Sequence, residues 1–139
     1  MNLVSSRTAQ EYNRRKGRNG AFWEDRYHAT AIETDSHLIQ CMIYIALNMV
    51  RANVVRHPAE WTFCGYHEIQ SSRQRYSIID YNKLIELLGL KNKDELREAY
   101  KKWINNAIES KNLSRESKWT ENVVVGSKDF VENFRSKLA

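Results

Sequence analysis

The stretch DSHLIQCMIYIALNMVRA, residues 35–52, decides how this chain is read. Leu38, Ile39, Met42, Ile43, Ile45, Ala46, Met49 and Val50 recur at three- and four-residue steps, which predicts a helix with a broad buried face. Thr34 or Asp35 supplies its N-cap. What remains is a narrow polar stripe: Gln40, Tyr44, Asn48 and Arg51, at steps of four, four and three. Side chains so spaced stack along one helix face.

That stripe carries chemical potential. A tyrosine phenol attacks a phosphodiester when its proton is removed and a cation stabilises the phosphate charge. One turn beyond Tyr44, the amide oxygen of Asn48 suits a divalent metal. The Arg51 guanidinium suits a phosphate. A surface or interface pair has the same spacing, so spacing leaves both readings open.

Working outward, residues 3–16 read as a helix that ends before Gly17. Residues 21–32 alternate as a strand, with Trp23, Tyr27, Ala29 and Ala31 on one face and Glu24, Arg26, His28 and Thr30 on the other. Beyond Pro58 comes an aromatic loop over 61–66, the expected seam between two halves. Asp80 caps a helix over 81–88 that stops at Gly89. Asn92 with Glu95 resembles a capping box for a longer helix over 93–110. In that helix Leu96, Ala99, Tyr100, Trp103, Ile104, Ala107 and Ile108 repeat with helical period and predict core. Residues 119–125 read as extended, and Ser127 caps a last helix carrying Phe130, Val131, Phe134 and Leu138. The pattern is an α+β region over 1–70 followed by a mostly helical region over 71–139.

Composition narrows the function classes. The 139 residues, 42% hydrophobic and 28% charged, match one folded domain or two very small ones. No apolar run approaches the ~18 residues of a membrane span, and the N-terminus lacks a secretory pattern. Cys41 and Cys64 make no Cys-x-x-Cys pair. A chain without membrane contact, in the cytoplasm, is expected. The net charge is +5, and the sequence pI of 9.3 invites a nucleic-acid partner. Arg14, Arg15, Lys16 and Arg18 cluster beside Gly17 and Gly20, either as a phosphate-binding loop or as a solvated helix end. The four histidines are separated by eight residues or more, with no His-x-His pair and no His-Glu-x-x-His. His57 reads as a loop residue and His37 as an exposed one in a first helical turn.

Three segments together carry a resemblance: Gly20-Ala21-Phe22-Trp23-Glu24-Asp25-Arg26-Tyr27-His28, then Tyr44-Ile45-Ala46-Leu47-Asn48-Met49-Val50-Arg51-Ala52, then Trp61 with Gly65-Tyr66. They resemble the REP-associated tyrosine transposases, single-tyrosine HUH transposases of bacterial genomes. Tyr76-x-x-Ile79-Asp80-Tyr81, Lys118-Trp119-Thr120-Glu121 and Val125-Gly126-Ser127-x-x-Phe130-Val131-Glu132 resemble the C-terminal extension of one branch. Met49 stands where many members have proline.

The resemblance implies part of a ferredoxin-like α+β domain over 1–70 and a helical extension over 71–139. It implies cleavage and joining of single-stranded DNA next to hairpins through a 5′-phosphotyrosine intermediate. Tyr44 would be the nucleophile and Asn48 a ligand of a divalent metal, Mg²⁺ or Mn²⁺. Arg14, Arg15, Lys16, Arg18, Arg26, Tyr27, His28 and Arg51 are the expected DNA contacts, and a homodimer is compatible with the family. The family's His-x-His ligand pair belongs to a strand before the segment where this chain starts. The expectation is therefore a chain that binds DNA yet is inactive and binds metal poorly alone. The alternatives are a DNA-binding remnant without catalysis and an inert structural fragment.

Overall fold

A computed structural model describes residues 2–20, 22, 29–71, 78–111 and 113–138. The chain is mostly helical with one small parallel sheet. In order, the elements are α1 (Asn2–Lys16), β1 (Ala31–Ile32), α2 (Ser36–Ala46), α3 (Asn48–Arg51), α4 (Gly65–Gln70), α5 (Tyr81–Leu87), α6 (Lys93–Glu109), α7 (Lys118–Glu121), β2 (Val124–Val125) and α8 (Lys128–Leu138). A single 3-10 turn, Pro58–Glu60, precedes α4. Among the described residues no helix is long and apolar enough to cross a membrane.

α1 stops where expected. Gly17 takes a φ of 60°, which glycine adopts without steric cost. Its N–H and that of Arg18 then close on the carbonyls of Arg14 and Asn13, satisfying two of the helix's last acceptors.

The single helix expected over 35–52 is two. Leu47 sits between α2 and α3 with ψ near 4°, which flattens the spiral for one residue. That residue is 1% exposed and wedges into the core. The expected cap also differs: Asp35 occupies the N-cap position at φ 60° and makes no side-chain cap bond. An N-cap side chain reaches the helix's free N–H groups from an extended backbone, which Asp35 does not have.

One apolar cluster holds most of the molecule together. Ala46, Leu47 and Val50 meet Tyr66 and Ile69 of α4 and Leu96, Tyr100 and Ile104 of α6. This core crosses residue 70, so the aromatic stretch expected as a seam contributes a buried ring, Tyr66, to the packing. Trp103, Ala107 and Ile108 pack against its edge, half-buried. The caps of α5 and α6 form as read: Asp80 accepts from the Lys83 N–H at 3.0 Å, and Asn92 from the Glu95 N–H at 2.9 Å. The Glu95 carboxylate returns to the Lys91 N–H at 2.7 Å, one residue before the expected partner.

A second, smaller cluster joins Cys41 of α2 to Trp119 and Val125, with Ile32 and Tyr44 against it. Here β1 and β2 pair in parallel, Ala31 with Val124 and Ile32 with Val125. The strand expected over 21–32 is limited to Ala31–Ile32 among the described residues; residues 21 and 23–28 lie outside them. The extended segment expected over 119–125 starts instead with the helical turn α7. There the N–H groups of Thr120 and Glu121 bond back to the Ser117 carbonyl, a turn that places Trp119 in the cluster. Ser127 caps α8 as expected, its hydroxyl accepting from the Phe130 N–H at 3.3 Å.

Candidate functional site

Tyr44 lies where the two clusters meet. On its own helix, Met42, Ile43 and Ala46 face the main core, while Cys41 belongs to the Trp119 cluster. Ile45, expected to turn inward, is instead 61% exposed. Between two buried faces, the remaining arc of α2 must point outward, and Ile45 occupies it.

The Tyr44 ring is half-buried and meets two side chains. The Arg51 guanidinium sits 3.9 Å from its centroid, a cation over the negative face of the ring. Trp119 approaches at 6.1 Å with a 39° tilt. Arg51 is itself tied down through Nη2, which donates to the Tyr44 carbonyl at 2.6 Å and to Asn48 Oδ1. Tyr44, Asn48 and Arg51 thus form one constellation, as their spacing implied.

Tyr44 and Arg51 border an open cavity of about 600 Å³ between α2, the end of α6 and residues 114–118. Tyr44, Arg51, Gln40, Ser114, Glu116 and Lys118 give it polar walls, and Ile43, Leu47 and Ala107 its apolar floor. A cavity of that size suits a small ligand or a single nucleotide unit. Lys118 Nζ pairs with Glu116 at 2.5 Å, reaches Gln40 Oε1 at 3.5 Å and lies 4.7 Å from the Trp119 ring. Sequence reading did not assign Lys118 and Glu116 to this site. Gln40 and Lys118 are 78 residues apart, and no local pattern links them. Trp119 is buried, and its indole N–H has no partner among the described residues.

The metal implied by the resemblance would have Asn48 among its ligands. Asn48 is exposed, but its amide oxygen already accepts from the Arg51 guanidinium. A dication there would meet a fixed positive charge and one neutral oxygen, whereas Mg²⁺ prefers carboxylates and phosphates. Among the described residues no group of three or more His, Cys, Asp or Glu is arranged to hold a metal ion. The described surroundings of Asn48 therefore do not fit a divalent cation.

The basic cluster takes the form of a helix end. Residues 2–20 carry five basic side chains and one acidic. Arg14 and Arg15 both contact that acid, Glu11, at 2.7 Å. The Arg15 and then the Arg14 guanidinium hold its carboxyl below the ordinary carboxylate range. Arg18 lies over the Tyr12 ring at 5.9 Å, and Lys16 is exposed. Tyr12 in turn packs on Phe22, 4.8 Å between centroids. Three cations in the last turn also complement the helix dipole. The other expected contacts, Arg26, Tyr27 and His28, lie outside the described residues.

The remaining histidines have structural partners. His57 is a loop residue, as read, and is tied down: its Nδ1 accepts from the Ala59 N–H at 3.0 Å, capping the 3-10 turn. Its Nε2 faces Asn105 Oδ1 at 3.2 Å, so the proton sits on Nε2. His37, expected to be exposed, is half-buried with Nδ1 3.4 Å from Glu33. Glu33 accepts from the Ser127 N–H at 2.5 Å and from its hydroxyl at 3.0 Å. The backbone bond from Ser127 is the main reason its carboxyl is held below the usual value.

Compared with known proteins, the chain matches no family model, no curated protein and no solved structure.

Proposed function

We propose that this chain handles single-stranded or hairpin DNA in the manner of the tyrosine transposases it resembles, with Tyr44 in the position of the nucleophile. One observation supports the reading most: Tyr44 shares an open cavity with two cations, Arg51 and Lys118. A phosphodiester entering there meets a phenol and positive charge together, the pairing that phosphoryl transfer to tyrosine requires. In that step the Tyr44 oxygen bonds to phosphorus and the phenolic proton is lost. The bond to the 3′ oxygen breaks, leaving a 5′-phosphotyrosine and a 3′ oxygen that takes up a proton from water to become the 3′-hydroxyl. On this reading residues 1–70 belong to a ferredoxin-like catalytic domain and residues 71–139 to its helical extension. The exposed cations at the end of α1 attract the DNA backbone.

Because the donors around Asn48 do not fit a divalent cation, the expected behaviour of the 139-residue chain is DNA binding without a covalent product. Binding should weaken steeply with salt, as phosphate neutralisation by Lys and Arg demands. The test is incubation with a labelled hairpin carrying a single-stranded flank, with Mg²⁺ or Mn²⁺, followed by denaturing electrophoresis. A covalent band that disappears in Tyr44→Phe would make the chain itself an enzyme. Binding without a band matches the expectation. No binding at low salt would overturn the DNA reading.

A further inference from the structure

The constellation that fails as a metal site is well formed for the opposite charge. Arg51 spends Nη2 on the Tyr44 carbonyl and Asn48 Oδ1 and lays its face on the Tyr44 ring. Its Nη1 and Nε have no partner among the described residues, and Arg51 lines the cavity. A guanidinium held on three sides has lost most of its rotamer freedom before a ligand arrives, so little ordering cost remains on binding. Lys118 adds a second cation, balanced by Glu116, which leaves the cavity with one net positive charge. Its walls also offer Gln40 and Ser114 as neutral hydrogen-bonding groups.

We infer that the Tyr44 cavity is a phosphodiester-binding site organised by Arg51, in which Asn48 orients the guanidinium and no divalent cation is needed. The inference rests on the DNA reading above and assigns Asn48 a different role within it. Asn48 is a positioning residue: its amide oxygen occupies Nη2, which leaves Nη1 and Nε for the ligand. The phosphate meets Arg51 directly, through charge-assisted hydrogen bonds.

A small probe isolates this cavity from the α1 cations: the dinucleotide of two thymidines, which carries one phosphodiester. The readout is the Arg51 Nε–H resonance of ¹⁵N-labelled protein in Tyr44→Phe, so that no covalent chemistry intervenes. In EDTA the probe should move that resonance, and Mg²⁺ should leave the affinity unchanged. Arg51→Gln, followed by the backbone amide shifts of the cavity residues Ile43 and Leu47, should weaken binding by at least about tenfold, the usual worth of hydrogen bonds to a charged group. Asn48→Asp separates the two roles and, at an exposed position, leaves the fold intact, which a melting curve checks. A carboxylate there neutralises Arg51, so the expected result is several-fold weaker binding with or without Mg²⁺. Were Asn48 a metal ligand, the same change would strengthen binding, and only with Mg²⁺ present. That outcome, or an unmoved Arg51 resonance, overturns the inference. Failure to form a phosphotyrosine adduct leaves it standing. Hairpin binding with no dinucleotide response at Arg51 sinks this inference alone and spares the DNA reading.

Discussion

In the helical core, Leu96, Tyr100 and Ile104 are spaced four residues apart on one helix and are all nearly inaccessible. In the corner around Trp119, the partners come from opposite ends of the chain. Thr30 bonds the Asn122 carbonyl at 2.7 Å, the Ala31 N–H bonds Val123 at 2.8 Å, and the Glu33 N–H bonds Val125 at 2.9 Å. The first region is stabilised by apolar burial along a periodic face, and the second by a few polar links over a small apolar patch. Tyr44 and its cavity lie on the boundary. The candidate site therefore lies where the main core meets a corner anchored by fewer contacts, and the corner supplies Lys118 and Glu116 to the cavity.

The contrast breaks most visibly under truncation. Leu96→Ala removes a side chain with no exposed surface and should cost ~2–5 kcal/mol, read as a lower urea midpoint at unchanged slope. Gly126→Ala is the matching probe of the corner. A Cβ there would lie 2.6 Å from the Phe130 ring and 2.8 Å from the Glu33 side chain, so crowding should cost ~1–3 kcal/mol. The expected signature is faster hydrogen exchange at Ala31 and Glu33, with the core amides of α6 accelerated far less. Equal acceleration in both regions would mean that they unfold as one unit. A smaller effect follows from Asn92→Ala, which removes the cap of α6 and should cost about 0.5–2 kcal/mol, read by thermal melting.

Opposite pH extremes should separate the regions again. Glu33 has a depressed carboxyl pKa because Ser127 donates to it. Its contribution is present above the ordinary carboxylate value and is lost as pH falls through the lower folded value. Acid should therefore loosen the corner first, and Glu33→Gln should remove that acid response. In the core, burial pushes the phenols of Tyr66, Tyr81 and Tyr100 up. Their contribution is present below the usual phenol value of about 10 and is lost as pH rises through the raised values. Alkali should thus strike the core, followed by tyrosinate absorbance alongside exchange protection.

Residues 93–109, 81–87 and 2–16 were legible because helix signals are local. Asn92 and Asp80 cap from within three residues, and Gly17 and Gly89 take the left-handed turn that ends a helix. The Tyr44, Asn48 and Arg51 face was legible for the same reason: one helical turn brings neighbours together whatever else the chain does. Other features were not. The break at Leu47, the exposure of Ile45, the helix Gly65–Gln70 that begins inside the stretch read as an aromatic loop, and the helical turn at Lys118–Glu121 depend on tertiary packing, and periodicity does not carry that information.

By itself, then, the sequence determined the bounds of α1, α5 and α6 and the start of α8, which stripe of α6 is buried, and which three polar side chains of the Tyr44 face lie within reach of one another. Tertiary structure alone decided that β1 meets β2, that Trp119 backs Tyr44, and that Lys118 and Glu116 complete the cavity. It also decided that the Asn48 oxygen is committed to Arg51. The physical reason is the range of the forces involved. Capping and helical stacking are settled within four residues, whereas pairing residues some ninety positions apart requires the whole core to form before the contact exists.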